Sequence, residues 1–140
     1  MAKFYPLEVV TPERVMLNED VEFTIAPGAD GELGILVRHA PLMTALKPGE
    51  LRATLADGRT TAHIVIGGGF LEVAHTGTVT VLADSAERAD EIDIDRAEAD
   101  LDAARRMLAE AELGSHQYER ARRAVDHAET RVRVARPSGR

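Results

Sequence analysis

The sequence predicts an all-β sandwich over residues 1–86 followed by an antiparallel two-helix hairpin over residues 87–140. Turn residues recur so closely through the first 84 positions that helices of ordinary length have no room between them. After Asp90 the spacing of apolar residues changes from two to between three and four. A chain of 140 residues can bury a substantial core in one module and only a thin one in the other.

Within the first module, alternation is clearest in Val21-Glu22-Phe23-Thr24-Ile25 and Thr78-Val79-Thr80-Val81-Leu82, which implies short strands with one apolar face. Turns are expected at Pro12, Pro27-Gly28, Asp30-Gly31, Pro48-Gly49, Asp57-Gly58 and Thr76-Gly77, so the strands stack as a small sandwich or flattened barrel. Gly31 and Gly34 are expected to supply positive backbone dihedrals, and Pro41 and Pro48-Gly49 to end short strands. Asp57-Gly58 has the pattern of a two-residue hairpin turn, and Gly67-Gly68-Gly69 that of a backbone crossing. With three Phe and two Tyr, the core must be built mainly from Val, Ile and Leu.

In the second module, Ile94, Ala97, Leu101, Ala104, Leu108 and Ala111 draw one narrow seam along a helix. Gly114 is expected to stop it, with Ser115 as the next N-cap. Tyr118, Ala121, Val125, Ala128, Val132 and Ala135 repeat the spacing, and matching seams with a short connection make an αα-hairpin. Charge divides along it: residues 91–113 carry eight acidic and three basic side chains, residues 115–140 three acidic and seven basic. Alternation of large residues with alanine hides modest apolar area, so the hairpin is expected to be docked conditionally.

The net charge of −7 argues against a general nucleic-acid binder. Without cysteine there are no disulfides or thiolate metal sites, and the five histidines form no HExxH or His-x-His cluster, so no metal is expected. Charged residues punctuate the first thirty positions, which leads to the expectation of a protein without signal peptide or membrane span, kept on the cytoplasmic side. Catalytic constellations are missing. Gly67-Gly68-Gly69 runs into Phe70-Leu71-Glu72 and lacks the Gly-Lys-Ser/Thr of a phosphate loop. The acidic run from Glu87 to Asp95 lacks the mid-loop glycine and closing glutamate of an EF-hand.

Four stretches together resemble the epsilon subunit of F-type ATP synthases across essentially the whole chain. They are Leu7-Glu8-Val9-Val10-Thr11-Pro12, the run from Asp30 to Glu50 with its ordered glycines and prolines, Gly67-Gly68-Gly69-Phe70, and the two-helix tail. The resemblance implies a sandwich of about ten strands and a helix-turn-helix domain. It implies a non-catalytic, peripheral subunit on the cytoplasmic side of the cell membrane, at the foot of the gamma subunit against the c-subunit ring. There it would couple proton-driven rotation to ATP production, and its hairpin would extend along gamma to inhibit ATP hydrolysis. Carried over by residue, Glu32 would meet the c ring and Arg38, His39 and Pro41 would lie near gamma. Arg120, Arg122 and Arg123 would meet the alpha and beta subunits of the catalytic head.

Ile92-Asp93-Ile94-Asp95-Arg96-Ala97 matches the Ile/Leu-Asp-x-x-Arg-Ala motif with which some of these subunits bind ATP. The resemblance adds Glu87 and Arg131, so the implied nucleotide set is Glu87, Ile92, Asp93, Arg96, Ala97 and Arg131, with ATP a regulatory ligand and no cofactor required. Two further arginine positions of that pattern are Ala103 and His127 here, with Arg105, Arg106 and Arg123 as out-of-register substitutes. Taken alone, the same residues describe an N-cap aspartate with an intrahelical Asp93–Arg96 pair. Two other readings compete: a free-standing binding module with a helical oligomerisation tail, which would be a stable homo-oligomer, and a small nucleotide-processing enzyme. The favoured reading expects an isolated monomer.

Overall fold

The computed structural model describes residues 3–136, which fall into two units, Met1–Arg88 and Ala89–Arg140. In the first, seven strands are hydrogen-bonded into one sheet: β1 (Tyr5–Val10), β2 (Val15–Gly28), β3 (Gly31–Leu36), β4 (Leu42–Leu55), β5 (Thr61–Val73), β6 (Val79–Ala83) and β7 (Ala86–Arg88). The order is β1-β6-β5-β4-β2-β3, with β7 beside β5. Because β1 also pairs with β2, antiparallel on that edge and parallel to β6 on the other, the sheet closes on itself as a flattened sandwich. Leu7, Val9, Val21, Leu51, Ile64, Ile66, Leu71 and Val81 are fully buried between its faces, each stabilising the fold by about 1.5–3 kcal/mol.

Three strands are long where the sequence suggests short ones: β2 and β4 have 14 residues each and β5 has 13. Counting each of these bent strands as two halves restores about ten segments. Pro48-Gly49 does not end a strand. It lies inside β4, where Gly49 stands opposite Ile66 and a Cβ would come within 2.9 Å of the Pro27 ring. Gly67-Gly68-Gly69 is a backbone crossing within β5, where that strand exchanges partners. Ile64 to Ile66 pair with β7 and Gly69 to Val73 with β6, and the gap is spanned by Gly67 N–H to Ser85 O and Asp84 N–H to Gly68 O, both 2.9 Å. A Cβ on Gly69 would collide with the Leu82 carbonyl, and its φ of +144 suits glycine alone.

Other local expectations shift in instructive ways. Gly34 is extended, opposite Ile25, and its missing side chain makes room for the Phe23 ring at 3.3 Å; the positive dihedral after β3 belongs to Arg38, with φ 65. Asp57-Gly58 sits in a four-residue loop closed by Leu55 N–H to Thr60 O at 2.9 Å. Asp57 organises that loop, accepting from the Arg59 and Thr60 amides and the Thr60 hydroxyl, and these bonds hold its carboxyl below the usual aspartate value.

The alternation in β2 breaks at Glu22, where a bulge moves the pairing with β4 by one residue. Val21 points inward, but beyond the bulge Thr24 and Ala26 are buried while Phe23 and Ile25 are only half-buried. Thr24 is tolerated because Tyr5 meets it. The Tyr5 hydroxyl donates to Ile35 O at 2.7 Å and the Thr24 hydroxyl, also 2.7 Å away, donates to the phenolic oxygen, so β1, β2 and β3 are joined through one buried group.

In the second unit a 3-10 turn at Ala89–Glu91 precedes α1 (Ile94–Glu110) and α2 (His116–Ala135). Asp93 caps α1 and Ser115 caps α2, each side chain accepting from the amide three residues on. Ala97, Leu101 and Ala104 are buried on α1, and Ala121, Val125, Ala128 and Val132 on α2, whereas the seam's ends at Ile94, Leu108, Ala111, Tyr118 and Ala135 are half-buried. The first helix stops earlier than Gly114. Ala111 is already extended, and Gly114, with φ +87, serves the turn in which Ser115 N–H reaches Glu112 O at 3.0 Å.

Tyr5→Phe should cost about 1–3 kcal/mol in urea unfolding at neutral pH, since it strips the Ile35 carbonyl and Thr24 of a partner. Burial raises the Tyr5 pKa above its ordinary 10.0. The unfolded chain therefore ionises first, and the stability carried by the neutral phenol is intact below pH 10.0 and is lost as pH rises through the folded value. Tyr5→Phe should lack that component of the alkaline loss; parallel alkaline profiles for the two proteins would refute it.

Candidate functional site

The residues singled out in the sequence occupy three places. Glu32 lies at the start of β3, just past the Ala29-Asp30 turn, with its carboxylate 3.1 Å from Arg52 Nη2 on β4. Arg38, His39 and Pro41 follow the other end of β3, about 17 Å along a six-residue strand. Glu32 is therefore not part of one constellation with them. Arg38 takes the left-handed turn conformation, His39 N–H bonds Leu36 O at 3.2 Å, and His39 Nδ1 lies 2.7 Å from its neighbour's carbonyl, Ala40 O. With Nδ1–H donating there, the ring is fixed in orientation. Together with Phe4, Pro6 and His75 these residues line an open groove of about 420 Å³.

The second place is the head of α1. Asp93 Oδ1 accepts from the Arg96 backbone N–H at 3.1 Å, so its carboxylate satisfies the helix start. Ile92 and Ala97, the apolar members of the motif, are buried at 7% and 0% exposure, while the Arg96 side chain is exposed. The motif thus has a structural task, cap plus core, and leaves one guanidinium on the surface. Glu87 belongs to β7 in the sandwich unit, opposite Val65.

The third place is the face where the two helices meet. Arg131 Nη1 on α2 lies 3.0 Å from Asp100 Oδ2 on α1. Arg136 pairs with Glu98 at 3.2 Å, and Arg105 with Glu129 at 3.4 Å. The first two bonds are the structural form of the charge division between the helices, and Arg105–Glu129 runs against it. The sequence analysis did not identify Glu98, Asp100 and Glu129; folding the chain back about Gly114 and matching positions across the hairpin would have found them. The last two pairs are exposed enough that each contributes about 0.2–1 kcal/mol, whereas the Arg131 side chain is only 14% exposed. Arg120, Arg122 and Arg123 are exposed on α2, and none of them joins an ion pair among the described residues. No helix among those residues is long and apolar enough to cross a membrane.

The family model for the beta-sandwich domain of the ATP synthase delta/epsilon chain matches residues 5–89. The chain is 44% identical over 134 residues to the ATP synthase epsilon chain of Nitratidesulfovibrio vulgaris, spanning 96% of this chain and 97% of that one. It is 54% identical over 99 residues to the epsilon chain of Desulforamulus reducens, spanning 71% and 73%. Among solved structures, a chain of the Euglena gracilis mitochondrial ATP synthase shares the fold with a TM-score of 0.80 at 24% identity, over 93% of this chain and 80% of that one. A chain of the Tetrahymena thermophila mitochondrial ATP synthase central stalk and c-ring does so with a TM-score of 0.63 at 16% identity, over 96% and 98%.

Asp93→Ala should destabilise the start of α1 by about 1 kcal/mol, seen as faster hydrogen exchange at the first-turn amides, with Asp93→Asn close to wild type because asparagine also caps. Equal protection in all three proteins would show that the cap contributes nothing.

Proposed function

Because the chain belongs to the ATP synthase epsilon-chain family, we propose that it serves in the central stalk as a non-catalytic coupling and regulatory subunit. The sandwich docks on the gamma subunit and the c-subunit ring, held peripherally on the cytoplasmic side of the cell membrane. Arg38, His39 and Pro41 serve the gamma contact and Glu32, at the far end of β3, the ring. β3 is hydrogen-bonded along β2, so the two contacts lie at opposite ends of one strand.

The hairpin is the regulatory part. The observation that supports this is its construction: alanines occupy half of the buried positions on the two helices, and two of the ion pairs between them, Arg136–Glu98 and Arg105–Glu129, are exposed and weak. Such a pair of helices separates at small cost, and separation frees the basic face of α2, with Arg120, Arg122 and Arg123, for acidic surfaces of the alpha and beta subunits. ATP held by Asp93 and Arg96 from α1 with Arg131 from α2 binds only while the helices lie side by side, so it favours the folded, non-inhibitory state.

The test is a titration of the isolated chain, expected to be monomeric, with ATP. Arg96→Ala should weaken binding by about 1.5–3 kcal/mol, the range of a charge-assisted hydrogen bond. A fluorescence pair on α1 and α2 should report closure as ATP rises, with ADP less effective. An interhelix distance unchanged at saturating ATP would remove nucleotide from the switch, and a stable homo-oligomer would favour the oligomerisation-tail reading instead.

A further inference from the structure

We propose that Asp100 is a built-in competitor for the nucleotide: its carboxylate occupies the Arg131 guanidinium that a phosphate would need, and so sets a low affinity for ATP. This rests on the nucleotide reading above and concerns how that same site is regulated. Arg131 Nη1 is 3.0 Å from Asp100 Oδ2. The two partners are unequally placed, the Arg131 side chain only 14% exposed and that of Asp100 51%. A largely enclosed guanidinium is thus held by a carboxylate that itself faces water.

The position of Asp100 makes the competition specific. It lies four residues after Arg96 and seven after Asp93, so all three fall on one side of α1, within about 10 Å along the axis. Arg131 reaches that stripe from α2 at Asp100. A guanidinium fork takes a carboxylate or a phosphate through the same N–H groups. An ATP phosphate extending from the Asp93–Arg96 end toward Arg131 therefore competes with Asp100 for Nη1. The apparent affinity is reduced by the fraction of time Arg131 is engaged. The other two pairs, Arg136–Glu98 and Arg105–Glu129, also join the two helices and are untouched by a change at Asp100.

The experiment is calorimetric titration of the full chain with ATP and, separately, with adenosine, for wild type, Asp100→Asn, Arg131→Gln and the double variant. Asparagine keeps the volume and removes the charge, and circular dichroism at matched concentration checks that each hairpin remains helical. Asp100→Asn should bind ATP about three- to tenfold more tightly than wild type, as expected for releasing a partly exposed ion pair. The gain should vanish in the Arg131→Gln background, and adenosine, having no phosphate, should show none. Equal ATP affinity for wild type and Asp100→Asn would overturn the competition while leaving nucleotide binding in place. A gain that survives Arg131→Gln would overturn it too, because the carboxylate would then act by general repulsion. Absence of saturable ATP binding in every variant would overturn both this inference and the nucleotide reading.

Discussion

Three consecutive glycines carry the heaviest constraint in the sandwich. At Gly67-Gly68-Gly69 the β5 backbone leaves β7 and joins β6, passing so close to Ser85 and to the Leu82 carbonyl that a side chain has no place at either end of the triplet. If β5 could not bend there, it could serve one partner or the other, but not both. Were β6 the partner lost, the sheet would stay open, and the inward faces of β1 and β6, with Leu7, Val9 and Val81, would lose their cover. Burial is worth far more than the backbone entropy that glycine costs, which is why the crossing persists.

The two units are stabilised by different physics. In the sandwich, aliphatic side chains with no exposed surface dominate, and one buried polar trio, Tyr5 with Thr24 and the Ile35 carbonyl, fixes the register where β2 bulges. In the hairpin only Leu101, Val125, Val132 and Val134 among the buried residues of the two helices are larger than alanine, and the charges between the helices are exposed enough to be screened by salt. The hairpin's contacts define its closed state without any single one of them being large.

Much of this was legible in the sequence, for identifiable reasons. Helix periodicity is a local property, so the central seam from Ala97 to Ala104 and from Ala121 to Val132 could be read residue by residue, as could the Ser115 cap. The strands were harder. Pro48-Gly49 carries the chemistry of a turn, but a strand flanked by partners can bend at such residues and continue, and flanking partners are a tertiary fact. Thr24 looked like an outward residue because the Glu22 bulge depends on β4. At the head of α1 the Asp93 cap was visible, whereas the Asp100–Arg131 bond, 31 positions apart, required the register of the hairpin.

The parallel pairing of β1 with β6 has a consequence for how the chain is made. Leu7 finds Val79, and Val10 finds Leu82, so the first strand emerges from the ribosome long before one of its two neighbours exists. At ordinary rates of chain elongation that wait is on the order of 4 to 14 s. During it β1 can pair with β2 through the Thr11–Arg14 turn, but its other edge stays open to any passing strand. The sheet cannot close before β6 is translated. The helical hairpin is encoded after β6, so closure of the sandwich and completion of the hairpin are separated in time by the order of the message itself.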